Sequence, residues 1–207
     1  MKIAIAQAGG GVGASTFGLA LACQLVKDND KLVHFVDSHE FLSCWDLPKK
    51  IETFRSLPEW RLRRQAGLVR HSDDWSEPDL IAIINGDSYD FNEFDKVVMV
   101  GTNSYYSLRS ILNRKGVDLF VFVMHEDRVL TEHDVRGVCP PKSDLLVINW
   151  DKNIARMSDA GLLWRIAEKF PLVFDDPSNL LQDKDKIRHK IRRRCTSASM
   201  PNDTVWT

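Results

Sequence analysis

Short apolar runs alternate with helix-like patterns from one end of the chain to the other. Ile3–Ala6, Leu32–Val36, Leu80–Ile84, Val97–Val100, Leu119–Val123 and Leu145–Ile148 are rich in branched side chains and lack strict apolar–polar alternation. Such runs suit strands buried on both faces, because a half-exposed strand would carry a polar residue at every second position. Between them the spacing predicts helices over 15–27, 51–66, 107–115, 131–137, 153–170 and 178–194. Strand-then-helix repetition predicts an α/β fold, with a mostly parallel sheet flanked by helices on both faces. The least regular stretch, 37–78, holds Trp45, Trp60, Trp75 and the cluster Arg61, Arg63, Arg64. It is expected to be a surface excursion between two strands with one amphipathic helix.

Composition narrows this picture. With 43% hydrophobic and 28% charged residues, the 207-residue chain can bury a core and is not disordered by composition. Its length suits one α/β domain, expected over 1–177, with a helical tail over 178–207. A net charge of −1 excludes a surface uniformly positive toward nucleic acid. Cysteines at 23, 44, 139 and 195 form no C-x-x-C and no repeated spacing, so neither a zinc site nor a disulfide framework is signalled. A reducing, cytoplasmic setting is expected. The first apolar run is too short for a signal peptide, and no run of about 18 apolar residues follows it.

Chemistry concentrates at residues 8–16, which read Ala-Gly-Gly-Gly-Val-Gly-Ala-Ser-Thr between the first strand and a helix apolar nearly all round. Glycine lets a backbone turn sharply and bring its N–H groups to a ligand with no Cβ in the way. The following helix N-terminus adds unpaired donors and a partial positive charge, so the whole forms a cradle for an anion, with phosphate its natural occupant. Two geometries compete. Gly9-x-Gly11-x-x-Ala14 fits a dinucleotide fingerprint, with Asp37 after the second strand where a ribose-binding acid is expected. Against that, the loop is expected to run two residues past the strand before the first glycine, and Ser15-Thr16 opens the helix as in a P-loop, whose first hydroxyl helps hold Mg²⁺.

The loop resembles the deviant Walker A of the MinD/ParA superfamily, in particular the CpaE/TadZ-like variant of pilus-localisation proteins that lacks the P-loop lysine. Val97–Val100 followed by Ser104–Ser110, the helix at Glu132–Arg136, and Ile148–Arg156 with Asp159–Leu163 are similar to later segments of that family in the same order. The resemblance covers about residues 1–170. It implies a P-loop fold, ATP and Mg²⁺ as cofactors, and phosphates on Gly10, Gly11, Val12, Gly13, Ala14, Ser15 and Thr16. It further implies Ser15 and Asp37 near the metal, Asp37 near the attacking water, a homodimer, and a protein partner in a localisation or secretion/pilus machinery.

Departures from the family limit the chemistry expected. The two loop lysines are replaced by Ala14 and Gly9, which removes direct stabilisation of charge on the transferring phosphoryl group. The second carboxylate after the second strand is His39, the Walker B acid is Asn85 with Asp87 two residues on, and the base-reading Asn is replaced by Met124-His125. Binding through backbone amides survives these losses, and at most a slow ATPase is expected. A scaffold of the same fold that has lost nucleotide, and an NAD(P)-binding protein, stand as alternatives. At the other end, 182–194 carries seven Lys or Arg against two Asp, with Leu180, Ile187 and Ile191 on one stripe. It is either a solvated last helix packed on the sheet, or a contact for a membrane surface or DNA through Lys184 to Arg194. Attachment to a membrane would then be peripheral.

Overall fold

The computed structural model describes residues 1–38, 47–71, 77–84, 90–112, 114–140, 144–153 and 156. Trp45, Trp75, His39, Asn85, Asp87, the 178–194 helix with its tail, and nearly all of the 153–170 helix lie outside the described residues. The six expected strands are present as β1 (Lys2–Gln7), β2 (Val33–Val36), β4 (Asp79–Ile84), β5 (Lys96–Thr102), β6 (Leu119–Met124) and β7 (Asp144–Asn149). A seventh, β3 (Ile51–Phe54), replaces the start of the helix expected over 51–66, and α2 occupies only Leu57–Gln65. The boundary is local: Ser56 caps α2 by accepting from the Glu59 N–H, and Pro58 sits in the first turn, where its missing donor costs nothing. Among the described residues the other α-helices are α1 (Ala14–Asn29), α3 (Tyr105–Ile111) and α4 (Glu132–Val138). Thus α3 stops four residues short of the expected 115.

All strand pairs are parallel, and the sheet order is β3-β2-β4-β1-β5-β6-β7. Strand periodicity divides the core by face. Ile3 and Ile5 of β1, Phe35 of β2, Ile81 and Ile83 of β4 and Val98 and Val100 of β5 pack with α1. On the opposite face, Leu57 and Trp60 of α2 meet Ala4, Val36 and Ala82, while Leu108 and Ile111 of α3 and Val135 of α4 meet Met99, Phe120 and Phe122. Helices therefore cover both faces, as the sequence predicts. Helix α1 is buried along Phe17–Leu25, Gln24 included, which explains why its sequence is apolar nearly all round. Burial pushes the Cys23 thiol up to about 12 and that of Cys139 up to about 11, so neither supplies a thiolate nucleophile at neutral pH.

One buried polar group ties β2 to α2. His34 is 1% exposed, and its Nδ1 accepts from Trp60 Nε1–H at 2.9 Å while Nε2 donates to the Arg70 carbonyl at 3.2 Å. This pattern requires the neutral ring. Burial holds its pKa below the usual histidine value, outweighing the upward pull of Glu52 3.5 Å away. A base whose folded pKa lies below its unfolded value of about 6.5 gives stability that is complete above that value and lost as pH falls toward the folded pKa. The urea midpoint is therefore expected to drop between pH 7 and pH 5, and to drop less in His34→Gln, whose amide oxygen can still accept from Trp60. An equal drop in both proteins would contradict the assignment.

Candidate functional site

In an open parallel sheet, ligands bind outside the carboxyl ends of the strands where the chain's direction of travel reverses. Here that point is β1, which lies between β4 and β5: the chain leaves β1 toward β2 on one side, and β5, β6 and β7 follow on the other. The glycine loop stands at this place. It begins after Gln7, so Ala8 alone separates β1 from Gly9, one residue fewer than the sequence suggested. Ala8 N–H donates to the Val100 carbonyl at 2.8 Å, which anchors the loop's first residue to β5.

Three of the four glycines have φ values that side chains rarely adopt: Gly9 at 156°, Gly11 at 69° and Gly13 at 86°. A Cβ placed on Gly10 or Gly11 would meet nothing within 4 Å, so the loop is bare on the side those atoms would occupy. Gly13 is the N-cap of α1, and no side chain caps the helix. The first turn holds no acidic residue, and the first helical bond runs from Phe17 N–H to the Gly13 carbonyl at 2.9 Å. The donors ahead of it, in Ala14, Ser15 and Thr16, precede the helical ladder, as the first amides of any helix do. Val12 and Ala14 are buried and hold the loop down, while Ser15 and Thr16 are half-buried at the helix start. An anion fits this arrangement through backbone amides and the helix dipole; with Ala14 as a buried methyl, the loop offers no cation of its own.

Asp37 follows β2 at the same edge. Its N–H donates to the Phe54 carbonyl at 3.0 Å and the residue is 1% exposed, so it is not a solvated surface carboxylate. Because β4 lies between β2 and β1, Asp37 stands about 10 Å to one side of the loop's strand at ordinary strand spacing. The dinucleotide-binding order places the second strand directly beside the first, so this topology counts against the NAD(P) alternative. Among the described residues no group of three or more His, Cys, Asp or Glu side chains is placed to hold a metal unaided. Mg²⁺ commonly takes one or two carboxylates together with phosphates, and a single Asp37 with Ser15 is compatible with that habit.

The other side of the edge holds side-chain contacts that motif reasoning did not reach. Asn103, 2% exposed after β5, donates through Nδ2 to the His125 and Leu130 carbonyls at 3.0 and 2.9 Å and accepts from His125 N–H at 2.9 Å. His125, after β6, stacks on Trp150, after β7, with ring centroids 4.9 Å apart and planes 21° apart. Tyr105 and Tyr106, at the start of α3, are strongly exposed beside them in the chain's order along this edge. Thr102, Ser104 and Ser107 form a hydroxyl cluster at the end of β5. A cavity of about 440 Å³ lies at the opposite edge, between Lys2, Trp60, Arg61, Arg64, Gln65 and Glu93. Its arginines are paired, Arg61 with Glu93 and Arg64 with Glu77.

No family model and no curated protein matches the sequence. Solved structures do match the fold. A ParA family ATPase from Chlorobium tepidum TLS is similar with a TM-score of 0.56 at 15% identity, over 81% of this chain and 92% of that one. A putative plasmid partition protein from Borrelia burgdorferi B31 bound to AMPPNP gives 0.55 at 13%, over 93% and 98%. The MinC:MinD cell division protein complex of Aquifex aeolicus gives 0.55 at 14%, over 98% of each chain. At these identities the likeness establishes the α/β fold that these proteins share, and the fold alone. Among the described residues no helix is long and apolar enough to cross a membrane.

Proposed function

We propose that this chain is a MinD/ParA-like nucleotide-binding protein that works as a switch rather than as a turnover enzyme. ATP with Mg²⁺ lies on Gly10, Gly11, Val12, Gly13, Ala14, Ser15 and Thr16, with the Ser15 hydroxyl and the Asp37 carboxylate toward the metal. The loaded form pairs as a homodimer and serves localisation, partitioning or assembly, in the manner of the CpaE/TadZ-like variant. One observation supports this reading above the others: a bare glycine loop, opening an uncapped helix, at the reversal point of an all-parallel sheet. Exposed Tyr105, Tyr106 and Val129 support a protein-contact surface near that edge. Hydrolysis is slow, with turnover on the order of 10⁻³ s⁻¹ or less, because no loop lysine meets the charge that develops on the phosphoryl oxygens.

Calorimetric titration with ATP, ADP and tripolyphosphate, each with and without Mg²⁺, tests the reading. Saturable binding of all three, tightened by Mg²⁺ for ATP, is the expected result. Absence of heat at millimolar ligand would favour the second reading, a scaffold of the same fold without nucleotide, which the buried Ala14 and the near-complete burial of Asp37 support.

A further inference from the structure

We propose that the outer face of α2, with the cavity beside it, docks an acidic, leucine-bearing segment of a partner protein. This surface is separate from the glycine loop, and the proposal stands whether or not nucleotide binds there. The cavity has an origin in the chain's connections. Residues 85–95 alone join β4 to β5, fewer than the dozen or more that a parallel crossover usually takes, and their described part forms only the 3-10 turn Phe91–Glu93. A connection this short covers less of the sheet than a crossover helix would. The cavity of about 440 Å³ lies between this turn, α2 and Lys2 at the start of β1.

Its wall is cationic. Lys2, Arg61 and Arg64 stand against Glu93, with Gln65 and Trp60 completing the lining. Arg64 lies over Trp60, 5.4 Å from the ring centroid, and spends one nitrogen, Nη2, on Glu77. Both arginine pairs are open to solvent, and exposed pairs of this kind contribute little, so a carboxylate from outside can join or replace them. The rim is apolar. Leu62, a helix-face neighbour of Gln65, is 67% exposed, and Leu68, whose N–H donates to the Arg63 carbonyl at 2.8 Å at the end of α2, is 70% exposed. Leucines this bare among cations suit a covering surface that is apolar and acidic at once. The surrounding stretch has the same sign: over 47–71, seven Lys or Arg stand against two Glu, in a chain of net charge −1. A nucleic acid fits less well, because Glu59, Glu77 and Glu93 interrupt the arginines and would meet its phosphates.

The test measures fluorescence anisotropy of a labelled synthetic peptide of Glu-Glu-Leu repeats titrated with the full chain, without nucleotide, so that a failure of the loop reading leaves it untouched. Saturable binding is expected. The combined change Arg61→Gln and Arg64→Gln should weaken it by about tenfold or more, Leu62→Ser by about threefold or more, and Arg136→Gln on α4 not at all. Urea midpoints close to the parent's confirm that these exposed positions leave the fold intact. On the parent protein, peptides with Lys in place of Glu, or Ala in place of Leu, should bind at least about tenfold more weakly. Three results overturn the proposal: no saturable binding at millimolar peptide, a loss in Arg136→Gln equal to that of the paired arginine change, or binding indifferent to Leu62 and to the peptide's leucines. A labelled thymidine oligonucleotide that binds more tightly than the peptide, and depends on the same arginines, also overturns it, in favour of a nucleic-acid contact.

Discussion

Gly13→Val is expected to abolish ATP binding in calorimetric titration, with an affinity loss of about 100-fold or more, equivalent to about 2.7 kcal/mol. Gly13 is the hinge at which the loop becomes a helix, and its φ of 86° is reached by a β-branched residue only under strain. Strain of that kind costs on the order of 1–3 kcal/mol, so the variant's melting temperature should also fall, by about 2–10 °C. Gly10→Val separates the two effects. Gly10 has no positive φ, and its added Cβ meets nothing within 4 Å. Its melting temperature should stay within about 2 °C of the parent, while the isopropyl group, standing in the open space over the loop, weakens ATP by about tenfold. Two variants that bind ATP like the parent would contradict the placement of the phosphates.

The second large effect concerns the seat of α1. A Cβ on Gly18 would lie 2.7 Å from Ile83 Cδ1, 2.9 Å from Ile5 Cδ1 and 3.1 Å from the Phe35 ring, so α1 approaches the sheet there more closely than a side chain allows. Gly18→Val should destabilise the protein by about 3 kcal/mol, because three fully packed side chains on neighbouring strands would have to move together. Gly18→Ala should cost less, about 1 kcal/mol, since the methyl group's better helix propensity offsets part of the clash. Urea midpoints of the three proteins test the ranking; an unchanged midpoint for Gly18→Val would mean that α1 does not sit this close. Stability and binding meet near this residue, because α1 begins at the loop's Gly13, little more than one turn before Gly18.

The strands and the loop were legible for physical reasons. Both-face burial imposes continuous apolar runs, and clustered glycine before a helix is hard to explain without a close backbone approach. Strand β3 was not legible: Ile51-Glu52-Thr53-Phe54 is a short edge strand with half-buried central residues, and it runs straight into the amphipathic Leu57–Gln65, so the two merge into one helical pattern. The pairing of His34 with Trp60 depends on β2 and α2 meeting across the fold, and neither residue announces it locally. The His125–Trp150 stack left a signal that could have been used. Each aromatic stands just past an expected strand, 119–123 and 145–148, and parallel pairing of neighbouring strands aligns their ends. Asp37 was placed correctly at the carboxyl edge, but its near-complete burial and the insertion of β4 between it and the loop depend on strand order, which sequence patterns do not encode.

Amide chemical shifts of ¹⁵N-labelled protein titrated with Mg·ATP test most directly whether backbone N–H groups hold the phosphates without a lysine. The resonances of Gly10, Gly11, Val12, Gly13, Ala14, Ser15 and Thr16 are expected to move together and saturably, and tripolyphosphate should reproduce their shifts. Resonances of these seven residues that stay in place at millimolar ATP, while others respond, would put the ligand elsewhere and contradict the account.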